Sequence, residues 1–319
     1  MKKALRITAW ILGFVVLLLG GTAAWINYAP APKYDPPAIP DLKVEVTPER
    51  VAQGAKLAST QCVMCHLGED GKLSGKYMED VTPEFGKIAS MNITQHPERG
   101  IGKWTDGELY AFLRTGLRKD GSFNVFMPSY PNMADEDVYA IIAWLHSDEP
   151  RLAPSERLKN PNKLTLLSKG LIQFVIRPSA MPKQAIPLPD TTNPVAWGRY
   201  LADGAYDCYA CHSASFTTLN ALEPEKSVGF YGGGNKMLNL EGETILSKNI
   251  TPDKATGIGN WTEEQFVTAL KTLRRPDGSV LRYPMMPYGM LTEGERKAIY
   301  AYLRTVPPIQ NEVLVEGRK

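Results

Sequence analysis

Residues 62–66 read Cys62-Val63-Met64-Cys65-His66, and residues 208–212 read Cys208-Tyr209-Ala210-Cys211-His212. These two stretches hold all four cysteines of the 319-residue chain and two of its four histidines. Two thiols and an imidazole within five residues can hold a metal, exchange electrons as a disulfide, or clamp a haem. A disulfide-rich secreted scaffold is excluded, because such chains are much shorter and scatter their cysteines. What surrounds the two stretches decides among the rest.

The surroundings are duplicated. Residues 92–122 and 249–279 align without a gap and share 14 of 31 positions. Unrelated segments of this composition would share about two. The matches include Asn92-Ile93-Thr94 with Asn249-Ile250-Thr251, Gly-Ile-Gly at 100–102 and 257–259, Trp104-Thr105 with Trp261-Thr262, and Asp-Gly-Ser at 120–122 and 277–279. A Cys-x-x-Cys-His motif precedes each copy. Met127-Pro128 or Met286-Pro287 follows it. Each copy then closes on a helix-like run, DEDVYAIIAWLH at 135–146 and TEGERKAIYAYLR at 292–304. Two homologous domains are expected, over 44–148 and 190–310. Thr105 with Glu108, Thr262 with Gln265, and Thr292 with Glu295 carry the capping-box signature that opens a helix. No alternating strand pattern stands out, so each domain is expected to be all-α with long loops.

Cys-x-x-Cys-His is the attachment signature of c-type haem. On a helical turn, residues i and i+3 share a face. Cys62 and Cys65, like Cys208 and Cys211, can then each bond one haem vinyl group. His66 and His212 follow directly and can give a ring nitrogen to the iron, provided the ring is neutral and its other nitrogen is held by a hydrogen bond. A four-cysteine zinc site would join pairs 146 residues apart and leave both histidines unexplained. A thioredoxin-like motif expects a βαβ setting, which the sequence lacks. Two covalently bound haems c are therefore expected.

A second axial ligand is expected from Met127 and Met286, each followed by a proline that stiffens its loop. Sulfur opposite histidine raises the reduction potential. Met285 stands beside Met286 and remains open as an alternative; Met133 and Met290 are weaker ones. Met64, between the cysteines, cannot reach over the ring. Trp104 and Trp261 have two compatible roles. Each is placed to donate its indole N–H to a haem propionate, and each sits before a Thr N-cap with Leu109 or Phe266 in staple position. His96 and His146 have no counterpart in the second copy and are expected at the surface.

The remaining segments set the location. Ile7–Ile26 is an apolar run with Lys2, Lys3 and Arg6 before it and Trp10 and Trp25 near its ends. It is long enough to cross a bilayer, and the positive-inside rule leaves the rest of the chain outside the cytoplasm. Residues 1–27 are expected to be a membrane anchor. A signal peptide cleaved near Thr22-Ala23-Ala24 is the alternative, although the run exceeds the usual apolar core of such peptides. Residues 28–43 carry five prolines and should form an extended spacer. Residues 149–189 form an interdomain linker. Its one apolar segment, Leu164–Ile176, is too short to span a bilayer; it is expected to pack between the domains, with contact at the membrane surface as the sharper reading. Residues 311–319 form a tail. The balance of 36 basic and 34 acidic residues gives no case for nucleic-acid binding.

The combination CxxCH, NIT, GIGxWT, DGS, MPY and AIYAYL resembles the cytochrome c subunits of membrane-bound bacterial alcohol and gluconate dehydrogenases and related di- and trihaem cytochromes c. Residues 208–308 match best and 62–148 more loosely. The resemblance implies two tandem class I cytochrome c domains on the periplasmic side of the cytoplasmic membrane. It implies an electron-transfer protein without catalytic residues, working between a dehydrogenase or quinol-oxidising complex and an oxidase or soluble cytochrome. Those dehydrogenase subunits commonly carry three CxxCH motifs where this chain has two. A cytochrome subunit integral to a dehydrogenase complex is the alternative, and a dihaem peroxidase the third reading. The latter needs one specialised haem, and the two copies are too alike for that.

Overall fold

Helix α1, Lys2–Tyr28, contains no acidic residue, and none of its side chains is buried. Its 27 residues, with the apolar run between Ile7 and Ile26, make it long and apolar enough to cross a membrane. The computed structural model describes residues 2–313. Residues 314–319 of the expected tail lie outside the described residues.

Helix α2, Pro48–Gln61, opens on Thr47, whose side chain accepts from Arg50 N–H, with proline in the first turn. Cys62 ends α2, and the single turn α3, Val63–His66, follows at once. Helix α4, Asp106–Thr115, begins with the complete Thr105–Glu108 capping box and stops at Gly116 in the left-handed region. Helix α5, Asp135–Leu145, has no side-chain cap. Three acidic residues in its first turn face the positive end of the helix dipole instead. Helix α6, Leu166–Phe174, stands alone in the linker.

The second half repeats the plan. Helix α7, Pro194–Arg199, widens into a π-wound turn over Tyr200–Ala205, where Tyr206 N–H reaches Leu201 C=O. The regular helix therefore ends at Arg199, and the wider turn carries the chain on toward Cys208. Next come α8, Cys208–His212; α9, Glu263–Thr272; and α10, Glu293–Leu303. Both α9 and α10 carry the expected capping boxes.

Helices are joined mostly by loops, but the structure also has short strands that the sequence reading did not anticipate. β1 (Gly86–Lys87) pairs antiparallel with β2 (Lys163–Leu164). β3 (Lys236–Leu238) pairs with β4 (Thr244–Leu246) through a turn at Asn239–Gly242. These pairs are two or three residues long, too short to print an alternating pattern on the sequence.

Two helix crossings organise the core. Gly54 of α2 lies so close to α5 that a Cβ there would sit 2.0 Å from Ala140 C=O oxygen. Gly198 of α7 meets Ala298 of α10 in the same way, at 1.8 Å. Trp144 and Tyr302 flank the two crossings in matching places. The buried side chains of both halves merge into one contiguous cluster, from Leu57 and Trp144 to Tyr231 and Leu303. A polar seam runs beside it. Lys56 Nζ pairs with Glu295 at 2.6 Å; Asp137 accepts from Gln53 at 2.8 Å and from the Tyr200 hydroxyl; Gln61 donates to Ala205 C=O at 3.0 Å. These bonds fix one half against the other.

Asp203 is the most consequential charge in the core. It is buried and accepts from the hydroxyls of Tyr231 and Tyr302, with Arg199 at 3.7 Å. Burial pushes its carboxyl up to about 6, against the pull of those two hydroxyls and Arg199; Glu225 adds to the rise. The folded form holds the proton that the unfolded form releases near pH 4. Its stabilising contribution is therefore complete below about pH 4 and is lost as pH rises through about 6. The loss amounts to at most about 3 kcal/mol. Denaturant titrations at pH 4.5 and 7.5 should show a steeper decline in the parent chain than in Asp203→Asn, which keeps the part owed to the other carboxyls raised by burial, Asp137 and Asp207.

Candidate haem-attachment sites

Cys62 and Cys65 lie on one helical turn, with Cys62 C=O accepting from His66 N–H at 2.9 Å. Cys208 and Cys211 occupy the same places on α8. All four thiols are free, although each pair lies within one turn. Burial pushes the Cys62 thiol up to about 12 and that of Cys65 up to about 11. Cys211 is solvent-accessible, yet burial first, then the charges of Asp80, Asp207 and Cys65, push its thiol up to about 12. Among the described residues, no three His, Cys, Asp or Glu side chains converge as a zinc site requires.

The histidines carry the chemistry. His66 Nδ1 lies 2.6 Å from Met91 C=O, and His212 Nδ1 lies 2.7 Å from Lys248 C=O. A carbonyl only accepts, so Nδ1 bears the hydrogen in each ring and Nε2 keeps its lone pair. Burial lowers the basicity of both rings, against the carbonyl bond that raises it, which keeps them neutral. A neutral, oriented imidazole with Nε2 free is what an iron ligand must be. The residues present therefore fit a covalently bound haem c at each motif.

The orienting carbonyls are themselves held. Asn92 and Asn249 follow them directly. Asn92 Oδ1 accepts from Thr94 N–H at 2.9 Å and its hydroxyl at 2.6 Å, while Nδ2 donates to Ser155 C=O at 3.0 Å. Asn249 binds Thr251 in the same way and donates to Ile309 C=O at 2.6 Å and Thr256 Oγ1 at 3.0 Å. The Asn-Ile-Thr repeat is thus a buried clip between the histidine-binding loop and the chain beyond the last helix of each half. Asn249→Ala strips these bonds and leaves buried donors and acceptors unpaired. It should destabilise the protein by about 3 kcal/mol, measured by chemical denaturation.

The methionine loops are fixed by arginines that the sequence reading missed. Arg114 of α4 donates to Tyr130 C=O at 3.0 Å and to Met133 C=O; Arg296 of α10 donates to Tyr288 C=O at 3.3 Å and to Leu291 C=O. The carbonyls correspond but the helices do not, so no alignment pairs the two arginines. Tyr130 N–H bonds Leu113 C=O and Tyr288 N–H bonds Leu270 C=O, which sets the register of the loops. Counted from those tyrosines, Met127 corresponds to Met285. The turns agree, with Met127 N–H bonding Asn124 C=O and Met285 N–H bonding Arg282 C=O. Met127 and Met285 pack against the core cluster. Counted by the Met-Pro step, Met127 corresponds instead to Met286, which is half-buried. The extra Ser129 of the first loop separates the two counts. Met133 is fully buried and Met290 half-buried.

Trp104 stacks edge-on against Phe112 at 5.3 Å, and Trp261 C=O accepts from the Tyr300 hydroxyl at 2.6 Å. Both rings pack on the core, and among the described residues neither indole N–H has a protein partner. His146 is exposed beside Asp106, as expected for a surface residue. His96 is partly exposed at the surface: its ring accepts from two backbone N–H groups and meets the exposed Glu156 at 2.8 Å.

Residues 51–148 match the cytochrome c family model. The chain is 31% identical over 277 residues to the cytochrome c subunit of a quinone-dependent alcohol dehydrogenase from Gluconacetobacter polyoxogenes, covering 81% of this chain and 56% of that one. It is 30% identical over 274 residues to the fructose dehydrogenase cytochrome subunit of Gluconobacter japonicus, covering 81% and 52%. It is 28% identical over 311 residues to a diheme cytochrome c-type protein of Cereibacter sphaeroides, covering 93% and 97%. The chain spans about half the length of the dehydrogenase subunits it matches and nearly all of the diheme protein. The dehydrogenase relatives are the cytochrome subunits of those dehydrogenases.

Proposed function

We propose that this chain, whose residues 51–148 form a cytochrome c domain, is a dihaem c-type cytochrome with a second such domain over 190–310. It passes electrons between a dehydrogenase or quinol-oxidising complex and a terminal acceptor. The observation that carries the reading is the pair of histidines, His66 buried and His212 half-buried, each directly after two free thiols on one turn and each held at Nδ1 by a backbone carbonyl. Haem, when bound, supplies the one-electron iron couple. The chain's own residues do the rest. Cys62, Cys65, Cys208 and Cys211 would hold it, His66 and His212 would each give it a ring nitrogen, and Asn92 and Asn249 hold the orienting carbonyls. Met127 and one of the Met285–Met286 pair would supply sulfur to it; Trp104 and Trp261, packed on the core, have indole N–H groups that would be free to donate to its propionates. The shared core and the Lys56–Glu295 seam keep the two sites at a constant separation, as transfer between them needs.

Helix α1 anchors the chain, with 28–43 as spacer, 149–189 as linker, and both domains on the periplasmic side. The Cereibacter relative, matched over nearly its whole length, supports a free-standing dihaem carrier. The dehydrogenase relatives support the alternative, a cytochrome subunit inside such a complex. Gentle solubilisation followed by identification of co-purifying proteins separates the two. A stoichiometric catalytic subunit favours the second, and its absence the first.

Ligation has its own test. The ferric protein should show the Met–iron charge-transfer band. Met127→Leu should remove about half of its intensity. One of Met285→Leu and Met286→Leu should remove the other half. A band untouched by all three variants would contradict methionine ligation from these loops.

A further inference from the structure

The linker helix α6 is tied at two places. Toward the first half, Thr165 hydroxyl donates to Glu84 C=O at 2.5 Å and Ser168 hydroxyl donates to Phe85 C=O at 2.7 Å. Toward α1, Lys169 Nζ donates to Asn27 C=O at 2.9 Å and to its side-chain oxygen at 2.7 Å, and Gln173 donates to Pro30 C=O at 2.8 Å. The Phe174 ring lies 5.9 Å from that of Trp25. Ser168 and Ile172 are buried on one side of the helix. Leu166, Leu167 and Phe174 share the opposite side at 100° per residue, and they are 47% to 56% exposed. Three large apolar side chains on one face of a nine-residue helix, with exposed Val175 following at its end, are more than scattered surface residues.

The occupant of that face follows from its level. The 27 residues of α1 rise about 40 Å, the thickness of a bilayer with its headgroup regions. Trp25, Asn27 and Pro30 therefore stand at the outer headgroup layer, and these are the residues α6 touches. The exposed face of α6 continues the exposed apolar surface of α1. Lys169 and the exposed Arg177 stand on the same short helix and its end, where anionic headgroups would meet them. We propose that α6 lies in the outer headgroup layer of the membrane, with Leu166, Leu167 and Phe174 turned to lipid. The first half would then be held against the membrane at two points, which restricts the directions its haem edge can face. The inference rests on α1 spanning the bilayer.

The test uses the full-length, haem-loaded protein in phosphatidylcholine–phosphatidylglycerol vesicles. Leu167→Cys and Phe174→Cys, each carrying a thiol-reactive bimane, are compared with Val280→Cys, an exposed apolar position on the second half. Lipids bearing a nitroxide near the headgroup should quench the two α6 labels at least twofold more than the label at 280. Vesicle-bound protein with all three labels equally unquenched would overturn the placement of α6 while leaving the anchor intact. Recovery of the protein in the soluble fraction would overturn both. α6 labels shielded from aqueous quenchers but untouched by lipid nitroxide would give the face to a protein partner and overturn the proposal.

Discussion

Removing both thiols of either motif should halve the covalent haem of the protein. The Cys62→Ala/Cys65→Ala chain should keep one haem, attached at Cys208 and Cys211, and the Cys208→Ala/Cys211→Ala chain should keep the other. The argument is local. Each site has its own thiol pair, its own histidine, its own orienting carbonyl and its own asparagine clip. None of these groups is borrowed from the other half. Redox titration of each variant should reduce to a single one-electron step where the parent has two. The surviving potential should lie near one of the parent's two values, because ligand type and hydrogen bonding at the remaining site are untouched. Loss of all haem from either variant would mean that the two sites assemble as one unit.

Gly198→Ala should destabilise the protein by about 3 kcal/mol or more, and Gly54→Ala by a similar amount. Helix propensity alone points the other way, since alanine in place of an interior glycine adds about 1 kcal/mol of stability. Packing decides the sign. The new methyl carbon would fall 1.8 Å from Ala298 oxygen and 2.9 Å from Tyr302 Cβ, or 2.0 Å from Ala140 oxygen and 2.7 Å from Trp144 Cβ. The nearest atoms are backbone and cannot swing away, so the helices must separate. Overpacking of this kind usually costs 1–3 kcal/mol, and these contacts are severe. Separation would also reach the sites, because α2 and α7 lead directly into the cysteines. Chemical denaturation of the haem-loaded variants measures the effect; a gain in stability at either position would show that the crossing is looser than described.

Much of this was legible because the chain states it twice. The capping boxes at Thr105, Thr262 and Thr292 form as their spacing requires, since a cap depends on residues three apart. The Asn-Ile-Thr and Gly-Ile-Gly repeats marked the loops that hold the histidines, although the partner of each asparagine lies about 60 residues away and could not be read. Properties that depend on two distant segments stayed hidden. The glycine crossings are properties of facing helices. The paired arginines come from α4 in one half and α10 in the other. The seam between Asp137 and Tyr200 joins residues unrelated by the repeat. The methionine register stayed open for a simpler reason. One inserted serine shifts the two loops, so motif and backbone disagree about whether Met285 or Met286 corresponds to Met127.

Each CxxCH turn should carry one haem through both of its thiols. Intact-mass measurement of the full-length protein, followed by peptide mapping, should find two haem groups per chain, one on the peptide containing Cys62 and Cys65 and one on that containing Cys208 and Cys211. A single haem, or a disulfide closing either pair, would overturn the dihaem reading.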